Sequence, residues 1–405
     1  MDGIKMTDNN ELTQIKQERY RFATLIVITV LAGVSQGMLL PMLTVLLEQA
    51  GVTSGMNGLN SAALYAGVFA SMFFIEKPLA RFGYKRIIVG GMIAVMAASL
   101  LFPAWENLWF WVVLRILVGI GESSLHFCTQ LWIISSSRAE RRGRNISFYG
   151  MSYAIGFSLG PVGLNLLRFG TWVPFAAMAA CFALSLLLMA RLPNEYPEKD
   201  PSRASSDGRR YARIIRLAWF ALIPSFLYGY MEATMNSSFP VYGLRMGWSE
   251  GWISVLLPAI GIGSLVLQMP LGVLSDRAGR KPVLIAAAFI GSLAFLMVPA
   301  AGDRLWVVHL LFAVAGGLVG SFFSLGLAYL ADLLPRPLLA SANVIASLNF
   351  SIGSIAGPNA GGLGIQYLSL GSLFYFLGGF FLLFAFAGLF FKGRQEEGGE
   401  KQPVG

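Results

Sequence analysis

The sequence predicts an all-α integral membrane protein, with twelve transmembrane helices in two six-helix, pseudo-symmetric bundles. Three observations carry that prediction. Of 405 residues, 56% are hydrophobic and only 13% are charged, about half the charge content of a water-exposed domain. The apolar residues gather into twelve stretches, most of them close to the ~20 residues a helix needs to cross hydrocarbon. Two landmarks of the first half recur in the second at almost the same offset.

The stretches run 22–47, 57–76, 87–104, 108–134, 146–168, 171–190, 217–241, 251–271, 283–300, 306–331, 340–363 and 372–391. Gly and Pro are frequent inside them, which bilayer helices tolerate because neighbouring helices re-satisfy the backbone. Residues 1–21 form a polar N-terminus, and no cleavable leader is expected because the first apolar run is already of full span length. The domains that follow are an N-terminal bundle at 22–190, a linker at 191–216, a C-terminal bundle at 217–391 and a tail at 392–405. The linker is rich in Pro, Ser and charge and reads as flexible, with a basic, surface-lying end.

Orientation follows from the basic residues. All but four of the 30 Lys and Arg fall in segments that alternation places on the side of the termini. The exceptions are Arg168, Arg245 and Arg304 in opposite loops, and Arg115 inside a span. This asymmetry puts both termini in the cytoplasm of a multi-pass plasma-membrane protein. It also accounts for the net charge of +9 as a face turned to anionic headgroups rather than to nucleic acid. Cys128 and Cys181 lie in apolar spans and read as small buried hydrophobes, and with two histidines in the chain no metal site is expected.

LARFGYKR, containing Gly83, recurs as LSDRAGRK, containing Gly279, an offset of 196 (83 to 279). GFSLGP, ending at Pro161, recurs as GSIAGP, ending at Pro358, an offset of 197 (161 to 358). A duplicated six-span unit places a substrate site near the midplane between the halves.

The polar residues inside the spans are few. Arg115, Gly119, Glu122, His126 and Gln130 follow helical spacing and share one stripe of the fourth span. Ionisable groups at membrane depth are costly unless they face a polar interior, so the stripe reads as a wall of a water-accessible path. Glu122 sits at the middle of that span. Glu232 sits near the middle of the seventh, with Tyr228 and Asn236 on its face. A carboxyl group shielded from bulk water holds its proton more tightly, so both acids are candidate proton carriers. Arg115 leans away from Glu122, about 10 Å along the axis, which points to His126 as the partner of Glu122. Ser35 and Gln36 in the first span, Asn60 and Tyr65 in the second, and Tyr149 and Tyr153 in the fifth are candidate lining residues. Gln268 in the eighth span and Asn343 and Asn349 in the eleventh join them. Together with many Phe, Trp and Met, they describe an adaptable, amphipathic cavity. A sugar site would show more converging polar groups and a phosphate site more interior cations. No nucleophile triad, phosphate-binding loop or metal cluster appears, so no enzyme activity and no cofactor are expected.

The loop Gly272-Val-Leu-Ser-Asp276-Arg277-Ala-Gly279-Arg280-Lys281 resembles the signature of the major facilitator superfamily, G-x-L-a-D-R-x-G-R-K, at every position. In that family the aspartate's charge network locks one conformation of alternating access. The first-half copy keeps Arg81, Gly83, Lys85 and Arg86. It has Ala80 in place of the aspartate, Tyr84 in place of an arginine and Glu76 in place of the leading glycine, with Glu76 the candidate substitute for the missing acid. Arg115-Ile-Leu-Val-Gly119-Ile-Gly121 is similar to the family's helix-4 motif, whose arginine is tied to proton transfer. Gly156, Gly160 and Pro161 in the fifth span are similar to the start of the family's antiporter signature. Gly353 to Gly362, with Gly357 and Pro358, matches that signature throughout, one half later. The resemblance covers essentially the whole chain. It implies a monomeric secondary transporter, with proton-coupled export of an amphipathic small molecule as the leading expectation. A lipid flippase or a proton-coupled uptake symporter is the alternative. A non-transporting membrane sensor ranks last, because neither linker nor tail is long enough for a folded regulatory domain.

Overall fold

A computed structural model of the chain describes residues 2–197 and 208–391; the expected tail at 392–405 lies outside them. The fourteen α-helices among the described residues fill all twelve expected positions. Helix α1 (Asp2–Gln49) forms the first. The second is broken into α2 (Ser54–Ser71) and α3 (Glu76–Phe82), bent by 62°. Pro78 explains the break, since its ring clashes with the carbonyl four residues earlier, at Phe74. Then come α4 (Tyr84–Leu101), α5 (Leu108–Ser136), α6 (Ala139–Leu159) and α7 (Trp172–Ala190). The second half holds α8 (Gly208–Arg245), α9 (Glu250–Ala278) and α10 (Arg280–Ala301). It continues with α11 (Leu305–Val319), α12 (Phe322–Leu333), α13 (Leu339–Tyr367) and α14 (Ser372–Phe390). The pair α11 and α12 makes up the tenth span.

Among the described residues nine spans are long and apolar enough to cross a membrane, and the bent pair α2–α3 makes a tenth. The other two positions are α6 with the 3-10 run Gly160–Phe169 that continues it, and α13. Both are long enough, but Ser, Asn and Gly dilute their apolar character. These residues serve packing. Helix α1 packs on α6 and α8 on α13, the same relation in each half. A Cβ on Gly156 would stand 3.0 Å from Val34 N, and one on Gly353 would stand 3.0 Å from Tyr230 N. Bare glycine backbone lets these helices touch. The repeat is imperfect at proline. Pro161 opens the 3-10 run, whereas Pro358 sits within a continuous helix.

The motif loops match in backbone. Gly83 has φ 80° and Gly279 has φ 93°, a region open to glycine and strained for other residues. Lys281 Nζ donates to Phe391 O at 2.6 Å, beyond the end of α14. Lys85 Nζ donates to Ala190 O at 2.9 Å and Leu192 O at 2.6 Å, beyond the end of α7. The side-chain networks differ. In the second copy Asp276 pairs with Arg280, whose Nε lies 3.4 Å from Asp332. In the first, Tyr84 stacks on Trp132 at 5.6 Å, and the Trp132 indole donates to Glu195 at 2.7 Å. Glu195 also pairs with Arg21, and its carbonyl accepts from Tyr84 N at 2.8 Å.

These contacts correct the expectation of a flexible linker at its first residues; its middle, 198–207, lies outside the described residues. Residues 191–197 are built onto the first motif loop, where Asn194 accepts from Lys85 N at 3.1 Å and donates to Phe82 O at 2.9 Å. The linker's far end is helical from Gly208, with a kink at Ala218 (φ −133°, ψ 24°). Glu76 opens α3 beyond the bend; the carboxylate that these contacts bring to the loop is Glu195.

Candidate transport site

Asn107 sets the register of α5, accepting from the backbone N–H groups of Trp109 at 3.0 Å and Phe110 at 3.1 Å. The expected stripe then runs from the deep interior towards the end of the molecule that carries the motif loops, here called the basic face. Arg115 is fully buried, Glu122 is 2% exposed, His126 is half-buried and Gln130 is exposed. Exposure therefore rises along the stripe, as a path opening on the basic face would require.

Its upper part is not a path wall. Gly119 packs against the backbone of Leu64 on α2, and Arg115 faces Tyr65 of the same helix closely enough for electrostatic interaction. Asn60, wholly buried, donates to Leu108 O at 3.5 Å and belongs to the same α2–α5 packing. A second correction concerns His126. Its Nδ1 shares a 3.2 Å hydrogen bond with the Tyr149 hydroxyl on α6, and its ring lies 4.8 Å from that of Tyr153. It does not pair with Glu122, because α6 lies beside it and supplies the phenol. Neither carboxyl oxygen of Glu122, nor any guanidinium nitrogen of Arg115, has a hydrogen-bond partner among the described residues.

Glu232 hydrogen-bonds the Tyr228 hydroxyl one turn away on α8. Asn236 donates back to Glu232 O at 2.8 Å, within its own helix. Across the interface, the Tyr153 hydroxyl donates to Gln36 of α1 at 2.8 Å. Tyr65 lies in electrostatic range of Glu232, Arg115 and Glu122, and Tyr153 of both acids and of Tyr65 and Tyr228. The two acids, one from each half, thus both lie within electrostatic range of Tyr65 and Tyr153.

Beside them is a central cavity of ≈ 100 Å³ walled by α6, α8 and α9, with Tyr153, Phe157, Tyr228, Glu232, Met235 and Asn236 among its lining residues. Ligand pockets typically need ~300 Å³ or more, so the cavity is contracted in this conformation. Of the residues expected to line it, Tyr153, Tyr228, Glu232 and Asn236 do. Gln36, which accepts from the Tyr153 hydroxyl, and Tyr65 are not among its lining residues, and Gln268 is exposed on α9. Asn349 is turned into a separate groove, where it donates to Leu222 O at 3.3 Å. Met231, Met235, Ser158 and Ser264 line the cavity and were not expected there. The two methionines are readable in retrospect, since they fall at i, i+3, i+4 and i+7 with Tyr228 and Glu232.

The halves are tied at the face opposite the basic one. Arg245 Nε donates to Glu48 at 2.7 Å, Gln49 to Glu250 at 2.6 Å, and Asn165 to Ser254 at 2.8 Å. Gly55 N donates to Gln366 Oε1 at 3.0 Å. Towards the basic face the sequential residues Gln268, Met269 and Pro270 of α9 are all exposed. Three successive positions span more than half a helix circumference, too much for a lipid-facing side alone. The contacts of Arg245, Gln49, Asn165 and Gly55 tie the halves at the face opposite the basic one.

The profile of the Major Facilitator Superfamily matches residues 25–264 and 251–404. YfkF, an MFS-type transporter of Bacillus subtilis (strain 168), is 40% identical over 363 residues, covering 89% of this chain and 92% of its own. YcaD, an MFS-type transporter of Salmonella dublin, is 23% identical over 340 residues, 81% of this chain and 84% of its own. The crystal structure of the nucleoside transporter NupG aligns with TM-score 0.75 at 14% identity, over 91% of this chain and 98% of that one. A bacterial homolog of the human lysosomal transporter Spinster, in an inward-facing and unoccupied conformation, aligns with TM-score 0.66 at 16% identity, over 92% and 96%. At these identities the two structures show a shared fold.

Proposed function

We propose that this chain, which belongs to the Major Facilitator Superfamily, is a proton-coupled exporter of amphipathic small molecules. Membership makes it a secondary transporter with a small-molecule substrate; proton coupling, direction and substrate chemistry are our reading. The observation that carries it is a pair of buried acids from opposite halves, Glu232 lining a largely apolar cavity and Glu122 without a hydrogen-bond partner among the described residues, both within electrostatic range of the cavity residue Tyr153. With Arg115 ionised, the cluster is neutral when the two acids share one proton. Losing that proton leaves a net negative site, which is costly at membrane depth. A cationic or strongly dipolar amphipath arriving from the basic face restores the balance. Proton and substrate then compete for one charge deficit, the condition for exchange. The methionines and aromatic rings supply adaptable apolar contact.

The positive-inside asymmetry supports a cytoplasmic basic face, with both termini on the cytoplasmic side of the cell membrane. A monomer suffices, because the site lies between the two halves of one chain. The motif residues Arg81, Gly83, Asp276, Arg277, Gly279 and Arg280 would hold the helix ends during rocking. The alternatives remain a flippase or an uptake symporter; transport of a nucleoside, as by the nucleoside transporter NupG, is a further one. The test is proton-driven efflux in everted vesicles across a panel of cationic, neutral and nucleoside compounds. Glu122→Gln or Glu232→Gln should each abolish or sharply reduce pH-dependent transport. Full pH-dependent transport in both variants would refute the proposal.

A further inference from the structure

Helices α8 and α13 pack closely on one another at paired glycines. At their contact Gly229 and Gly353 bring backbones together; a Cβ on Gly353 would sit 3.0 Å from both Phe226 C and Tyr230 N. Towards the basic face α8 kinks at Ala218, and Asn349 of α13 donates to Leu222 O of α8 at 3.3 Å. A groove is left between them. Ile215, Trp219, Leu222 and Phe226 form one wall, and Ile345 and Asn349 the other. Ile215 is 51% exposed and Trp219 42% exposed, so the groove is open along its side.

Its length is telling. From Ile215 to Phe226 is eleven residues, roughly 16 Å at ~1.5 Å per residue. One leaflet of hydrocarbon is about 15 Å, half of ~30 Å. The groove therefore runs the depth of a single leaflet, from its surface to the glycine contact, and it is apolar throughout except for Asn349. Trp219, near its mouth, is fixed edge-on against Phe391 with ring centroids 5.4 Å apart.

The charge near the mouth is mainly basic; Asp332, at the end of α12, is taken up by Arg280. Arg216 is exposed beside Ile215. The sequence leading to it carries Arg209, Arg210 and Arg213, and Arg336 lies just ahead of α13. Neither 208–231 nor 333–391 contains an Asp or Glu. We infer that this groove is a binding site for an anionic phospholipid of the basic-side leaflet. One acyl chain lies along α8 up to the Gly229–Gly353 contact, and the headgroup phosphate sits at Arg216. The site is separate from the central cavity and stands whatever the transported molecule is.

The experiment uses the full-length chain in phosphatidylcholine vesicles containing phosphatidylglycerol, with bromine on the acyl chains of one lipid or the other. Trp219 is read as the fluorescence difference between the wild type and Trp219→Phe. Brominated phosphatidylglycerol should quench that difference signal more than brominated phosphatidylcholine at equal bromine content. Arg216→Gln should weaken the preference about five-fold, Arg216→Lys should keep it, and high salt should reduce it. Ile345→Phe, which fills the groove, should abolish it. Equal quenching by the two lipids would overturn the site. So would a preference unchanged by Arg216→Gln or surviving in Ile345→Phe.

Discussion

Two glycines of α6 offer a controlled test of how the halves are packed. Gly150 and Gly156 are less than two turns apart on one helix. A Cβ on Gly150 would meet nothing within 4 Å. One on Gly156 would meet Val34 N at 3.0 Å, Val30 C at 3.1 Å and, closer still, the Val30 carbonyl oxygen. Alanine at either site gains about 1 kcal/mol by restricting the unfolded chain and favouring the helix. At Gly156 that gain is opposed by overpacking against backbone, typically about 1–3 kcal/mol, because α1 cannot yield without moving as a whole. The two variants should therefore differ by about 1–3 kcal/mol, with Gly150→Ala the more stable. At ~2.1 cal/mol/K of unfolding entropy per residue, a 405-residue chain loses about 0.85 kcal/mol per degree. The expected separation in Tm is then roughly 1–4 °C. Thermal melts of both variants in one detergent would measure it. Equal melting temperatures, or a higher one for Gly156→Ala, would refute the account of α1–α6 contact.

Three further outcomes are expected. Glu48→Gln should loosen the closed face by up to about five-fold, the scale of a partly exposed ion pair. Cysteine labelling from that face reads it, and a Glu48→Arg, Arg245→Glu exchange should restore closure. Glu195→Gln should lower stability by about 1 kcal/mol, less than the usual value for a charged hydrogen bond because the side chain is 36% exposed. Loss of the carboxylate partner of the Trp132 indole should also change the protein's fluorescence, and that change should vanish in a Trp132→Phe background. Gly279→Ala should cost about 1–3 kcal/mol through backbone strain at φ 93°, ψ 145°. Gly272→Ala, with nothing within 4 Å of its Cβ, should be neutral or stabilising in the same melts.

The membrane architecture was legible because it depends on quantities that sum along the chain: apolar length, glycine and proline spacing, and the side on which Lys and Arg fall. Details set by a partner helix were not. That His126 would find Tyr149 follows from α6 lying beside α5, which nothing in the RILVGIGESSLHF stretch encodes. Gln268 and Asn349 read as cavity residues because polarity in a span is rare, yet one is exposed and the other faces a different groove. Glu195 was hidden in a segment whose composition signals disorder. Its role depends on Tyr84 and Trp132 coming together first.

The α5 stripe shows what sequence and structure each contribute. Helical spacing alone puts Arg115, Glu122, His126 and Gln130 on one side, and an unbroken polar path is the simplest reading. The structure divides that side by neighbour. Near Arg115 it is sealed by α2 through Leu64 and Tyr65; near His126 it meets α6; only at Gln130 is it exposed. Glu122 stands where these surroundings change, deep enough to exclude bulk water and within range of Tyr153 and, through it, of Glu232. Rocking of the halves changes the distance between Glu122 and Glu232 more than that between Glu122 and Arg115, which share a helix. The variable electrostatic term in the cycle is therefore the acid–acid one. Removing either acid should abolish the pH dependence of transport, whereas replacing His126, held by Tyr149, should leave it in place.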